Sequence, residues 1–563
     1  MQDKLPQLPH TNSQMSQITK SALLAIGLLL PVSQSAFAQG PGTSFEGQTL
    51  FSPISGTNTY LVSNDGDVMH TWPGNGRSVY LLEDGTLIRT LGDNLGTDVE
   101  FVAWDGTVTW AYNASDATHV FHHDVELLPN GNVLMIVREV FTTAEAHAAG
   151  RNPAHQLGGS FRPDTIIEVQ PTGPNSGTVV WEWRMWDHLI QDFDPAMANY
   201  GVVADHPGRL DINFPDVNLD LGNWNHCNAI AYNPALDQII LNSRHQSEFW
   251  VIDHSTTTAE AAGHTGGAHG RGGDFIYRWG NPQAYRAGTA ADQTLFGQHN
   301  TQWIEPGLPG AGNILVFNNG LNRPQGVYSS LDEIVPPLNA LGGYSHTTGT
   351  AYGPLAALWS YVAPVPTDFY AAFISGIQRL PNGNTLACNG PAGKFFEVTN
   401  SMQVVWEYTN PFPDPGNKFV FRARRYRHCF EPQNFCSLSP NSTGPGASMD
   451  WSGSVSASAN NLVIKVSGAA ASIPGLFFFG DDQVQLPFGD GSLCVGGNSR
   501  RLPVVFSDPA GSASYALDLS NPALPSSLIG AADTWNFQFW FRDNAFAGTG
   551  FNFSDGLQVT FCN

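Results

Sequence analysis

The sequence predicts an all-β protein: a six-bladed β-propeller over residues 39–430, then a C-terminal β-sandwich domain over 454–563. Three observations predict it. The composition is rich in Gly (59) and Pro (38) and poor in charge (13%), which favours turn-rich β structure over a helical protein. Apolar runs flank turn signals at Asp84-Gly85, Asn130-Gly131, Gly312-Asn313 and Asn382-Gly383. Asn-Gly and Asp-Gly between such runs mark hairpins, because both central residues of the tightest turns need positive φ. A run carrying Trp then recurs, at Trp72, Trp110, Trp181, Trp279, Trp359 and Trp406, one closing strand for each blade. These tryptophans are read as packing between blades.

In chain order, residues 1–38 read as an export signal: Lys20, an apolar core from Ser21, and the small-residue cleavage site Ala36-Phe37-Ala38. The core is too short to span a membrane and no later segment qualifies, so a secreted or periplasmic protein without a membrane span is expected. A net charge of −23 argues against nucleic acid as a partner, while leaving room for a local cationic pocket. The wide interval between Trp181 and Trp279 is read as an excursion with a short helix near Trp186–Asp192 and a Gly-rich loop over 264–274. Residues 431–453 form a Ser/Pro/Gly linker, and the alternating strands beyond it suit adhesion, stability or cell-surface attachment rather than chemistry. Of six cysteines, Cys429–Cys436 and Cys494–Cys562 are the expected bridges, leaving Cys227 and Cys388 free and buried.

Polar clusters stand at four strand ends: His119, His122, His123 and Asp124; His226, Asn228 and Arg244; Gln298, His299 and Asn300; and Asn318, Asn319 and Gly320 with Arg323. Corresponding strand starts of a propeller converge on its channel, so these clusters would meet there as an anion site with proton donors. Three histidines within five residues of a strand do not share one face, so no metal is expected there. No P-loop, Rossmann or G-x-S-x-G pattern is present, and no cofactor is expected.

The run WNHCNAIAYNP…IILNSRHQ, then YRWGNP, QHNTQWI…NILVFNNG and LPNGNTL…VVWEY, resembles the bacterial arylsulfate sulfotransferases over about residues 100–430. The resemblance implies an exported six-bladed propeller that moves a sulfuryl group from an aryl sulfate to a phenol through a sulfated histidine. On matched motifs, it implies catalytic roles for His226 (H-x-N), His299 (Gln-His) and Arg323 (after the Asn-Asn-Gly). His123, Asn228, Arg244, Asn300 and Asn389 form the supporting, substrate-binding set. The family's nucleophilic histidine has no counterpart: its place reads LACNG, with Cys388 and Asn389, and Cys388 is read as packing. A second reading is therefore a non-catalytic secreted propeller that binds a sulfated or phenolic ligand.

Overall fold

Six four-stranded antiparallel sheets occupy the chain from Gln48 to Tyr426 in the computed structural model. The structure describes residues 43–561 apart from 83, 92–96, 220–221, 427–431, 456, 458–459, 523, 531–532 and 547. The expected export signal, Cys429 and Cys562 lie outside the described residues.

From leading to outermost strand, the first sheet is Val420–Tyr426, Gln48–Pro53, Asn58–Val62 and Val68–Pro73. The second is Val79–Leu81, Leu87–Thr90, Val99–Val102 and Val108–Tyr112; the third is His119–Leu127, Val133–Glu139, Asp164–Gly173 and Ser176–Arg184. The fourth is Cys227–Asn233, Gln238–Ser243, Glu248–Asp253 and Tyr277–Trp279; the fifth is His299–Trp303, Ile314–Asn318, Ser330–Ile334 and Trp359–Tyr361. Gly376–Arg379, Thr385–Asn389, Lys394–Val398 and Val404–Thr409 make the sixth. The leading strands touch in turn: that of the third sheet meets the fourth, then the fifth, sixth, first and second. Leu87–Thr90 of the second meets His119–Leu127 again.

Local chemistry explains the layering. Gln238–Ser243 and Glu248–Asp253 are buried at every residue, and both read as near-continuous apolar runs. At the hairpins, Gly85, Gly131, Gly312 and Gly383 take φ of 83–87°. Asn130 and Asn382 stay outside that region, so only the glycine bears the left-handed conformation. The Leu128 amide donates to the Asn132 carbonyl across the turn, which gives a wider loop than the two-residue turn expected.

All six expected tryptophans stand on the outermost strands, and each does more than pack. Each indole N–H reaches a carbonyl or hydroxyl belonging to the next stretch of chain: Trp72 to Ala103 O (3.2 Å), Trp110 to Ser176 O (3.1 Å) and Trp181 to Thr256 Oγ1 (3.4 Å). Trp279 reaches Pro354 O (2.7 Å), Trp359 reaches Asn400 O (3.1 Å), and Trp406 returns to Asn64 O (2.7 Å). Trp72, fully buried among Leu81, Leu87 and Val102, tests the two contributions separately. Trp72→Phe should cost about 1 kcal/mol for the lost hydrogen bond, and Trp72→Ala about 3–5 kcal/mol, read as shifts of the urea midpoint.

Beyond Tyr426 a five-stranded sheet runs Gln433–Phe435, Phe551–Thr560, Thr534–Arg542, Pro474–Gly480, Arg500–Phe506. A three-stranded sheet of Ser448–Ser452, Val463–Ser467 and Ala513–Ala516 shares one apolar core with it, Ile464 and Val466 packing with Phe477, Phe539 and Leu557. Two stretches of the expected linker are thus strands of these sheets. Their shortness and their Ser, Asn and Asp content hid the alternation.

The cysteine pairing is corrected. Cys436 bonds Cys494, with Cα atoms 6.2 Å apart, so neither expected bridge forms. Gln433–Phe435 lies along Phe551–Thr560, which also contacts Gly491–Gly496, and that juxtaposition brings the two thiols together. Spacing along the chain could not reveal it. Cys227 and Cys388 are free and buried, as expected. Among the described residues no helix is long and apolar enough to cross a membrane.

Candidate active site: a histidine cluster at the leading strands

Three leading strands carry, at or near their start or midway along, a bulge at which a non-glycine residue takes positive φ: His123 (65°), His226 (52°) and Asn300 (51°). The register slips at each, between Phe121 and Val125, Cys227 and Ala229, and His299 and Gln302. Bulges of this kind re-aim side chains out of the ladder, and the left-handed conformation they require is uncommon for residues with a Cβ. Here they gather imidazoles.

The His123 and His226 rings lie 4.7 Å apart, and His226 is 4.9 Å from His245. Phe421 forms a common wall, 5.8 Å from His123 and 6.4 Å from His299. Burial pushes the His123 and His226 imidazoles well below their ordinary range, helped at His123 by His226 and at His226 by His245 and Arg244. Burial pushes His299 down to about 3. All three rings are therefore neutral near pH 7, and hydrogen bonds select their tautomers.

Asn319 donates its amide to Ala371 O (2.7 Å) and Ile374 O (3.0 Å), so its Oδ1 accepts from His299 Nδ1 at 2.7 Å. The His299 lone pair is left on Nε2. Behind His123 runs a relay: His122 Nε2 donates to Asp164 Oδ1 (2.9 Å), and His122 Nδ1 lies 2.7 Å from His123 Nδ1. His123 Nδ1–H thus donates to His122, which leaves the His123 lone pair on Nε2. The Cys227 amide also donates to Asp164, at 2.6 Å. Despite its burial, the Asp164 carboxyl is held below the usual range by His122 and this amide. The Asn223 amide stands 2.8 Å from His226 Nδ1 and donates to it, placing the His226 proton on Nε2. The cluster offers two bare ring nitrogens and one N–H.

His226 opens onto a cavity of about 770 Å³ whose ionisable lining, among the described residues, is Arg138, Arg162, Arg244, His226 and His245, with no carboxylate among them. Val217, Leu219, Phe296 and Leu321 supply apolar wall. In a chain of net charge −23 this is a concentrated cationic pocket with room for an aromatic ring. Arg244 Nη1 donates to His245 Nε2 (3.1 Å), and His245 Nδ1 donates back to the Trp224 and Asn223 carbonyls.

The residues expected at the site divide. His123, His226, His299 and Arg244 converge. Asn228 bridges the fourth and fifth sheets, donating to Gln298 O (3.1 Å), and Asn300 Oδ1 accepts from the Ile377 amide (2.9 Å) between the fifth and sixth. Arg323 stacks over Tyr328 (4.4 Å) and Phe296 (5.3 Å) and donates to Ser330 Oγ (3.2 Å), while its neighbours Asn322 and Pro324 line the cavity. Asn389 Oδ1 accepts from the Ala392 amide (3.4 Å) at a strand end. Asp124 is paired with Arg422 (3.0 Å). Cys388 is buried with its thiol pushed up by that burial, as suits packing. Sequence reading missed Asp164, Asn223, Asn319 as the His299 partner, His245, Arg138 and Arg162. Only His245, directly after Arg244, carried a local signal.

No curated protein matches the chain. Among solved structures, a Bacteroides caccae protein of unknown function is 12% identical, covering 68% of this chain and 100% of its own, at a TM-score of 0.37. A streptogramin B lyase is 10% identical over 66% of this chain and 82% of its own (TM-score 0.32). A virginiamycin B lyase from Staphylococcus aureus is 10% identical over 78% and 93% (TM-score 0.28). Likeness at that level has no bearing on activity. The family model "Arylsulfotransferase (ASST)" matches residues 43–412, well over half of the chain, and that span takes in the histidine cluster and all six sheets apart from the strand Val420–Tyr426 of the first: the chain belongs to the arylsulfotransferase family.

Proposed function

We propose that the chain is an exported aryl-sulfate sulfotransferase. It moves a sulfuryl group from an aryl sulfate to a phenolic acceptor in the channel of a six-bladed β-propeller, with the sheets from Gln433 onward as a separate sandwich domain suited to surface attachment. The observation that carries this reading is an arginine-lined cavity beside neutral imidazoles of complementary tautomer. Sulfuryl transfer, like phosphoryl transfer, spreads negative charge over equatorial oxygens, so it needs positioned cations more than covalent assistance.

In this reading Arg244, with Arg138 and Arg162, holds the sulfate oxygens. His123 Nε2 attacks sulfur, the N–S bond forms and the S–O bond to the aryl group breaks. The departing phenolate oxygen is hydrogen-bonded by His226 Nε2–H, and the proton on His123 Nδ1 passes to His122, whose other nitrogen faces Asp164. The acceptor phenol oxygen then attacks sulfur while His299 Nε2 takes its proton. The N–S bond breaks, the relay proton returns to His123, and the acceptor's proton reaches the first phenolate through His299 and solvent. His123 thereby takes the role of the family histidine that this chain lacks.

The test is 4-nitrophenyl sulfate with phenol as acceptor. Acceptor-dependent release of 4-nitrophenolate, slowed in His299→Ala, is the expected result. Folded protein that binds the ester without turning it over would leave a binding protein and end this reading.

A further inference from the structure

We infer that His188, His264 and Asp274 form a divalent transition-metal site, zinc by its donor set, away from the histidine cluster and independent of the sulfuryl-transfer reading. Among the described residues this group has three ligand atoms within 4.8 Å of one another. Asp274 Oδ1 lies 2.8 Å from His188 Nδ1 and 2.8 Å from His264 Nδ1.

The orientation of His188 points to a cation. Its Nε2 is 2.8 Å from the Ala261 carbonyl, which only accepts, so Nε2 carries hydrogen. Its Nδ1 turns toward a second acceptor, the carboxylate. An imidazole that donates one N–H to a backbone carbonyl and turns its other nitrogen to a carboxylate shared with a second imidazole is how metal-binding histidines are oriented. The ring is wholly buried and stacked on Trp183, 5.4 Å away and 5° from parallel, and the Trp183 indole donates to Gly273 O (2.7 Å). Arg209 Nε approaches the other carboxylate oxygen, Oδ2, at 3.4 Å, which leaves Oδ1 to the two imidazoles.

Two nitrogens and one oxygen suit zinc, with a fourth tetrahedral position left for water or a further ligand. His264 is 41% exposed, so that position opens to solvent. The metal would pin the Gly-rich loop Gly263–Asp274 to the 3-10 turn Met185–His188, a loop that has no regular strand or helix of its own.

The experiment uses the mature protein, stripped with chelator and titrated with Zn²⁺, with Co²⁺ as an absorbing substitute. One equivalent per chain, tetrahedral Co²⁺ absorption and a rise in Tm with zinc are expected. His264→Ala, at an exposed loop position, should weaken zinc at least about tenfold and abolish the rise in Tm. Asp274→Asn should do the same. Absence of zinc uptake by the wild type, or unchanged affinity in His264→Ala, overturns the site.

Discussion

His123→Gln should lower acceptor-dependent turnover of 4-nitrophenyl sulfate by a factor of about 10²–10⁴, with the melting transition little moved. The reasoning rests on the relay. Asp164 orients His122, His122 accepts from His123 Nδ1, and the lone pair is left on His123 Nε2. Gln can keep a hydrogen bond to His122 yet has no nucleophilic ring nitrogen. After rapid quench with donor alone, wild type should carry one sulfuryl group on the peptide containing His123, and His123→Gln none. Cys388→Ala should leave turnover unchanged, because that thiol is buried and pushed away from ionisation. A sulfuryl group on His299 with turnover intact in His123→Gln would move the nucleophile to the fifth sheet.

Acid should unfold the protein through the same cluster. His123, His226 and His299 are held neutral in the folded state, His299 down to about 3, whereas an unfolded histidine takes its proton near 6.5. A lowered folded value means that the unfolded chain binds more protons below about pH 6.5. The contribution is complete above that pH and is lost as pH falls toward 3. For His299 alone the loss is about 1.4 kcal/mol per pH unit within that window. Urea unfolding at pH 7, 6, 5 and 4 should show the slope, and His299→Asn should reduce it by about that amount. Equal slopes in the two proteins would mean that the imidazole is already solvated in the folded state.

Much of the architecture was legible because it rests on short-range rules. The Trp-bearing runs, the Asn-Gly turns and the continuous apolar strands QIILNS and EFWVID each declare a local conformation, and each stands where those rules put it. His226 and His299 were legible for the same reason, since a polar residue ahead of an apolar run has few places to go; His122 and His123, expected at a strand end, lie inside the strand His119–Leu127, because a bulge lets the ladder run on through them. What stayed hidden depends on distant partners. Asp164 opens an ordinary-looking strand and matters only because it meets His122, 42 residues earlier. Arg138 and Arg162 flank an irregular excursion, and nothing in their neighbours says that both face the cavity around His226. Asn228 and Asn300 looked like substrate ligands, yet their amides join adjacent sheets, a use of buried Asn that spacing does not separate from binding. The cysteines failed for a related cause, since Cys436 and Cys494 are joined by sheet pairing rather than proximity along the chain.

The pairing of Val420–Tyr426 with Gln48–Pro53 sets the order in which the molecule can be made. Gln48–Pro53 is buried along its whole length, so until its partner arrives one edge of this strand is an open template for the wrong chain. Its partner is encoded more than three hundred residues later. Closing so large a loop is slow, and this one contact raises the contact order of the whole circuit. A chain cut short before Val420 would keep five of the six sheets complete and lose the seam, leaving a sticky, open-sided particle.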